Sequence, residues 1–255
     1  MVYKKILKQQ LYKRGWGPIN HVYQKKENPT SIYNSEISAL GIQYTERKGS
    51  NALSFSDKKK KEIEEKTFEK PDFIALNQAI SCFIKHAKSI VNIGSGVGTF
   101  EWFASVDNSL TFTAVEFDKG NIEWSKKHRQ RKNITYCSTP MSELIKDKKK
   151  FDLAVSLDVI DHIYEFGTFL SEFSTLADRG IISITNKDRA FQTSIAETPQ
   201  ESSYCREWNA GEFYWVLRAF YKNVQLYSLP DPFVPKVEKI GFMSTLSPVI
   251  AVCSR

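Results

Sequence analysis

Apolar and polar positions along this chain change character near residue 70. Before that point the sequence is polar and basic, with few long periodic segments. The exception runs from Val2 to Arg14, where Val2, Tyr3, Ile6, Leu7, Leu11 and Tyr12 fall near helical spacing among lysines and predict a short basic amphipathic helix. After Pro71, the stretch PDFIALNQAISCFIKHAK opens on a proline and repeats apolar residues three and four apart, which predicts a helix ending near Lys88. SIVNIG is then a short β-branched run of the kind that forms a buried parallel strand, with Gly94, Gly96 and Gly98 following at once. From there the pattern alternates. It predicts a strand over 110–117, a helix over about 121–131, a strand over 134–138, a short helix over 141–145, a strand over 151–157, a helix over 165–177 and a strand over 180–186.

Strands that alternate with helices in this way pair in parallel through right-handed crossovers, because each strand needs a helix to bring the chain back. The C-terminal part departs from that rule. A helix over 210–221 leads to the strand NVQLYSL, a connection holding Pro230, Pro232 and Pro235, and a last strand SPVIAVCS with no helix between the two strands. Those two strands are expected to pair antiparallel at one edge. The expected fold class is α/β: a doubly wound, mostly parallel, seven-stranded Rossmann-like sheet with a terminal antiparallel hairpin. Residues 1–70 are expected to be an N-terminal extension to a single domain over 71–255, a size that suits one large α/β unit.

Composition narrows the class further. Hydrophobic residues make up 41% and charged residues 25%, enough apolar surface to bury a core and too much for wholesale disorder. No apolar run approaches the roughly 20 residues needed to cross a bilayer. The N-terminus lacks the uninterrupted apolar stretch of a secretory signal, so a cytoplasmic protein is expected. Cys82, Cys137, Cys205 and Cys253 are far apart, without zinc-ligand spacing, and read as reduced thiols. The net charge of +7 would suit an anionic partner. Much of the excess, however, sits in lysine runs at 58–61 and 148–150 that read as solvated loop faces, without the interleaved aromatics that stack bases. The helix over 2–14 leaves peripheral contact with an anionic membrane as an alternative to docking on its own domain.

The chemistry concentrates in VNIGSGVGTFE, residues 91–101. A glycine-rich turn between a strand and a helix lets a ligand approach the backbone closely and meet free N–H groups at the helix start. A dinucleotide fingerprint, GxGxxG, would place its third glycine at position 99, where this chain has Thr99; its third glycine is Gly98, giving GxGxG. That spacing favours S-adenosyl-L-methionine. Glu116 lies 18 residues beyond Gly98 at the end of the second strand, where a carboxylate accepts hydrogen bonds from ribose hydroxyls and disfavours a 2′-phosphate.

Together VNIGSGVGTFE, AVEFD (114–118) and FDLAVSLDVIDHI (151–163) resemble motif I, the acidic post-motif and the fourth-strand motif of class I S-adenosylmethionine-dependent methyltransferases. YCSTPMSEL (136–144) followed by SLDVIDHI is similar to the O-methyltransferases of the ubiquinone-biosynthesis type and related bacterial methyltransferase-domain proteins. The resemblance covers about Ser89 to Asn186 and does not extend over the first 70 residues. It implies that Gly94, Ser95 and Gly96 line the methionine and ribose portion, that Glu116 holds the ribose and that Phe117 flanks the adenine. It further implies that Thr139, Pro140 and Met141 lie along the other edge of the adenine, and that Asp158 faces the methionine ammonium or the acceptor. Where the family usually has an acidic residue two positions before the first motif I glycine, this chain has Asn92, whose amide can still orient the loop.

In methyl transfer the cofactor carries the activation, so the protein contributes alignment and, for a hydroxyl acceptor, removal of a proton. His162 is the candidate base, because it follows the fourth strand, where ligands sit outside the carboxyl ends of an open sheet. Asp161 is placed to orient it or act in its stead, and a purely structural role for His162 stays open. No set of acidic and amide side chains suggests a metal. The turn after the fourth strand has no Asn or Asp-Pro-Pro-aromatic motif and no Pro-Cys nucleophile, which argues against methylation of a nucleic-acid base. The polar segment 188–204 is expected to cover the acceptor pocket. The expected reaction is methyl transfer to a small-molecule or glycan acceptor, at a hydroxyl oxygen. A nucleic-acid methyltransferase, a non-catalytic cofactor-binding domain and a dinucleotide reader are the alternatives.

Overall fold

The computed structural model describes residues 76, 78–148, 150–186, 205–229, 236–241 and 248–255. The helix expected over 2–14, the loop over 188–204 and the three prolines at 230, 232 and 235 lie outside the described residues. The described residues form eight strands: β1 (Ser89–Ile93), β2 (Thr111–Val115), β3 (Ile134–Cys137), β4 (Leu153–Leu157), β5 (Arg179–Ile184), β6 (Asn223–Ser228), β7 (Glu238–Ile240) and β8 (Val249–Ser254). The helices are α1 (Thr99–Ala104), α2 (Lys119–His128), α3 (Met141–Lys146), α4 (Phe166–Leu176) and α5 (Ala210–Arg218), with a 3-10 turn at Ile160–His162.

The strands form one sheet in the order β3-β2-β1-β4-β5-β8-β6-β7. The first five pair in parallel. The order reverses direction at β1, so the crevice between the carboxyl ends of β1 and β4 is the switch point where ligands of such sheets bind. The strand period of two divides β1 between the faces: Val91 and Ile93 join one core with Phe169, Leu170, Phe173, Phe213 and Leu217, whereas Ile90 joins the other with Phe100, Ala104 and Ile122. Helices α4 and α5 therefore cover one face, and α1 and α2 the other. This is the doubly wound α/β arrangement expected from the sequence.

Three details of the expectation change. The terminal pair β6 and β8 is antiparallel as expected, but β8 lies between β5 and β6, pairing with both. Its residues Val249, Ile250, Ala251 and Cys253 are all buried, which suits an interior strand, whereas β6 alternates buried Val224 and Leu226 with exposed Asn223 and Gln225. An eighth strand, β7, pairs with β6 at the edge. Its sequence EKI carries no apolar alternation, and its charges suit an edge that must not recruit further strands. The helix expected over 71–88 is helical, among the described residues, only to Ser81. Cys82, Phe83 and Ala87 instead donate to carbonyls three residues back, and Asp152 accepts from the backbone N–H groups of Lys88 and Ser89 to start β1.

Candidate functional site

The glycine loop leaves β1 and is docked on the end of β2. The N–H groups of Gly94 and Ser95 both donate to the carbonyl of Val115, at 2.9 and 3.0 Å, and Gly98 N–H closes the turn on Ser95 O at 2.9 Å. Gly94, behind which Val159 packs, holds φ 78°, Gly96 56° and Gly98 70°, in the left-handed region that glycine enters at no steric cost. The space around two of these differs. A Cβ on Gly98 would lie 2.6 Å from Cε1 of Tyr136, so this glycine is required by packing. A Cβ on Gly96 would meet nothing within 4 Å. The loop therefore presents an open cradle at Gly96, and the buried hydroxyl of neighbouring Ser95 has no hydrogen-bond partner there. An open cradle beside an unpartnered hydroxyl fits a polar, nucleoside-like group.

Glu116, immediately after β2, is the anchor of the site. It is buried, and its Oε1 accepts from the N–H groups of Phe117 (2.7 Å) and Asp118 (3.0 Å). Its Oε2 accepts from Gly96 N–H at 2.7 Å. A carboxylate offers about four lone-pair sites, so Oε2 retains capacity for one further donor such as a ribose hydroxyl. Phe117 beside it is 58% exposed. Asp118 then caps α2, its carboxylate accepting from Asn121 N–H at 2.8 Å. Across from these, Thr139 and Pro140 are half-buried, with Pro140 opening α3, while the Met141 side chain is buried in the core.

The end of β4 carries the other residues singled out from sequence. Asp158 holds φ 55°, rare for a residue with a side chain, and is fixed by Ser183: its N–H donates to the hydroxyl at 3.0 Å and its Oδ1 accepts from that hydroxyl at 2.8 Å. Asp161 is buried completely in the 3-10 turn. Its Oδ2 accepts from Thr185 N–H at 3.2 Å, and its other oxygen, Oδ1, is buried without a partner. Burial pushes its carboxyl up to about 8, partly opposed by the Thr185 N–H and reinforced by the charges of Asp158 and Glu207. At neutral pH this acid mostly keeps its proton. Its main-chain carbonyl also accepts from Cys205 N–H (2.7 Å) and Arg206 N–H (3.1 Å), which ties the returning chain to the turn. His162 ends the turn half-buried, its carbonyl accepting from the Cys205 thiol at 3.2 Å. Asp158, Asp161 and His162 thus lie within five residues of the end of β4, while Gly94, Ser95, Gly96, Glu116 and Phe117 gather at the ends of β1 and β2.

Three buried residues lie next to the loop in the hydrogen-bond network: Asn92, singled out from the sequence, and Glu101 and Arg129, which do not stand out in it. Asn92 Nδ2 donates to Glu101 Oε1 at 2.6 Å, so the amide in place of the usual acid works by holding a carboxyl that comes from α1. Glu101 is fully buried, and burial pushes its carboxyl up to about 7 against the opposing hydrogen bond from Asn92 and the charge of Arg129. Arg129, itself buried, donates to Val97 O at 3.1 Å and to the Thr99 hydroxyl. Among the described residues no group of three or more His, Cys, Asp or Glu side chains is arranged to hold a metal ion. No described helix is long and apolar enough to cross a membrane.

Residues 91–184 match the methyltransferase domain family. A ubiquinone biosynthesis O-methyltransferase of Pelagibacter ubique is 28% identical over 83 residues, which are 32% of this chain and 35% of that protein. The match therefore spans about a third of the relative's length. Among solved structures, the chain is similar to an S-adenosylmethionine-dependent methyltransferase of Thermotoga maritima described as a possible histamine N-methyltransferase (TM-score 0.56, 18% identity, covering 76% of this chain and 95% of that one). It is also similar to the plantazolicin methyltransferase BpumL in complex with S-adenosylhomocysteine (TM-score 0.56, 15% identity, 88% and 100% covered). At these identities the likeness is one of fold.

Proposed function

We propose that this protein, which carries an S-adenosylmethionine-dependent methyltransferase domain, transfers the methyl group of that cofactor to a hydroxyl oxygen of a small-molecule or carbohydrate acceptor. The observation that carries the cofactor assignment is the bond between Gly96 N–H and Glu116 Oε2 beside an open cradle. The site residues fit the cofactor: Gly94, Ser95 and Gly96 hold its methionine and ribose portion, Glu116 takes a ribose hydroxyl on Oε2, and exposed Phe117 with Thr139 and Pro140 flanks the adenine. When bound, S-adenosylmethionine supplies a methyl group already activated on a sulfonium sulfur.

The chain's own residues then bind, orient and move a proton. Asp158, held by Ser183 at the end of β4, faces the methionine ammonium or the acceptor. His162 accepts the proton of the acceptor hydroxyl as the methyl group arrives, the general-base role that a positioned imidazole nitrogen fills most often. Asp161, anchored to Thr185 and to the backbone of 205–206, holds the turn that presents His162. The methyltransferase domain is residues 71–255, with 1–70 as an extension. Incubation with methyl-labelled cofactor and a panel of hydroxylated small molecules and glycans tests the acceptor class: label in a methyl ether supports it, and label only in nucleic acid or in amines overturns it.

A further inference from the structure

Arg129 ends α2 in a stretch, KKHRQRK, whose other residues are mostly exposed, yet it is 1% exposed. It reaches back some thirty positions in sequence to the glycine loop: its Nη1 donates to Val97 O at 3.1 Å and to the Thr99 hydroxyl. Its own carbonyl accepts from Tyr136 OH at 3.1 Å, and the ring of Tyr136 is what a side chain at Gly98 would strike. Three consecutive positions, 97, 98 and 99, are thus set by one corner of α2 and β3. The guanidinium lies 5.2 Å from the ring centre of Trp124, and Glu101 supplies a carboxyl close enough to feel its charge. A buried arginine contributes little to folding by itself, since taking its charge out of water costs several kcal/mol that an apolar side chain would not incur.

We propose that Arg129 is a positioning residue for the cofactor: its guanidinium fixes the path of Val97 to Thr99 and so holds Gly96 N–H against Glu116. The inference rests on the reading of the glycine loop as the S-adenosylmethionine site. Lysine is not equivalent: a single Nη1 serves both acceptors, and its direction is set by the planar guanidinium whose centre lies 5.2 Å from the Trp124 ring, a constraint that a freely rotating ammonium lacks.

The test titrates S-adenosylhomocysteine into the full chain and into Arg129→Lys, Thr99→Val and Leu217→Ala, with thermal unfolding of each in the absence of ligand. Leu217→Ala is the control, a core truncation in α5, which packs on β6 and β8. Arg129→Lys is expected to raise the dissociation constant about ten-fold or more, as loss of a charged hydrogen bond does. Thr99→Val is expected to raise it less, about three-fold, having lost one acceptor of the pair. Leu217→Ala is expected to lower the unfolding temperature and leave the dissociation constant as in the parent. If Arg129→Lys and Thr99→Val also lose only stability, Arg129 supports the fold alone and the proposal is overturned. Should Arg129→Lys fail to fold, Thr99→Val decides by the same criterion. A parent chain that does not bind S-adenosylhomocysteine overturns the cofactor reading itself, a result separate from any difference among the variants.

Discussion

Gly96 N–H donates to Glu116 Oε2 at 2.7 Å, joining the glycine loop after β1 to the end of β2 across 20 residues of sequence. The carboxylate proposed to hold the ribose is therefore also the one that shapes the loop. Glu116→Ala leaves the N–H groups of Gly96, Phe117 and Asp118 without their acceptor and removes a charged partner for the ribose. Cofactor affinity measured by calorimetry should fall by about 1.5–3 kcal/mol. An unchanged affinity would place the ligand elsewhere.

Two glycines in the same loop should respond differently to substitution. Gly96→Val fills the open cradle and should abolish binding of S-adenosylhomocysteine; nothing lies within 4 Å of the added Cβ, so its cost in stability is the strain of a β-branched residue at φ 56° and not a clash. Gly98→Ala drives a methyl into Tyr136 and should lower thermal stability first. Circular dichroism melts beside calorimetry separate the two; a folded Gly96→Val variant that binds S-adenosylhomocysteine as the parent does would contradict the open cradle.

The parts of this molecule that were legible in the sequence are those where side-chain pattern and backbone conformation coincide. The β-branched runs of β1, β2 and β4 are buried parallel strands, and the apolar spacing of α4 matches the observed Phe166–Leu176 within a residue at either end. The helix expected to reach Lys88 failed because apolar periodicity reports burial, not hydrogen bonding. Phe83, Ile84 and Ala87 pack on the sheet as helical spacing requires, but their backbone forms tight turns that feed Lys88 into β1. Strand β7 carried no signal, being a three-residue charged edge. At the site, Glu116 was readable because glycine spacing points to it. Arg129 was hidden in a lysine-rich run that looks solvated, and only the fold turns that one side chain inward.

His162→Ala should reduce the single-turnover rate by roughly 10²-fold or more, the usual share of general-base catalysis, with cofactor affinity nearly intact. The measurement needs an acceptor identified by labelled-cofactor screening. A loss confined to cofactor affinity would assign His162 to the binding pocket, and an unchanged rate would remove it from proton transfer.

Asp161 couples stability to pH. Its carboxyl moves from an ordinary value of 3.8 to about 8 in the folded chain, so between those values the unfolded chain has released the proton and the folded chain keeps it. Stability then declines as pH rises through this window and levels off above it; Glu101, raised from 4.5 to about 7, acts with the same sign. Asp161→Asn mimics the protonated acid and lacks the decline, so its melting temperature should gain on the parent between about pH 5 and about pH 8. A constant difference between the two proteins across that range would show that Asp161 does not titrate there.

The central claim is that the loop at 94–98 and Glu116 form a site for S-adenosylmethionine. Its most direct test is calorimetric titration of the full chain with S-adenosylhomocysteine and, separately, with NAD. The account predicts saturable binding of S-adenosylhomocysteine in the micromolar range or tighter, about −8 kcal/mol, with no heat of binding from NAD. Saturable NAD binding with no response to S-adenosylhomocysteine would contradict it.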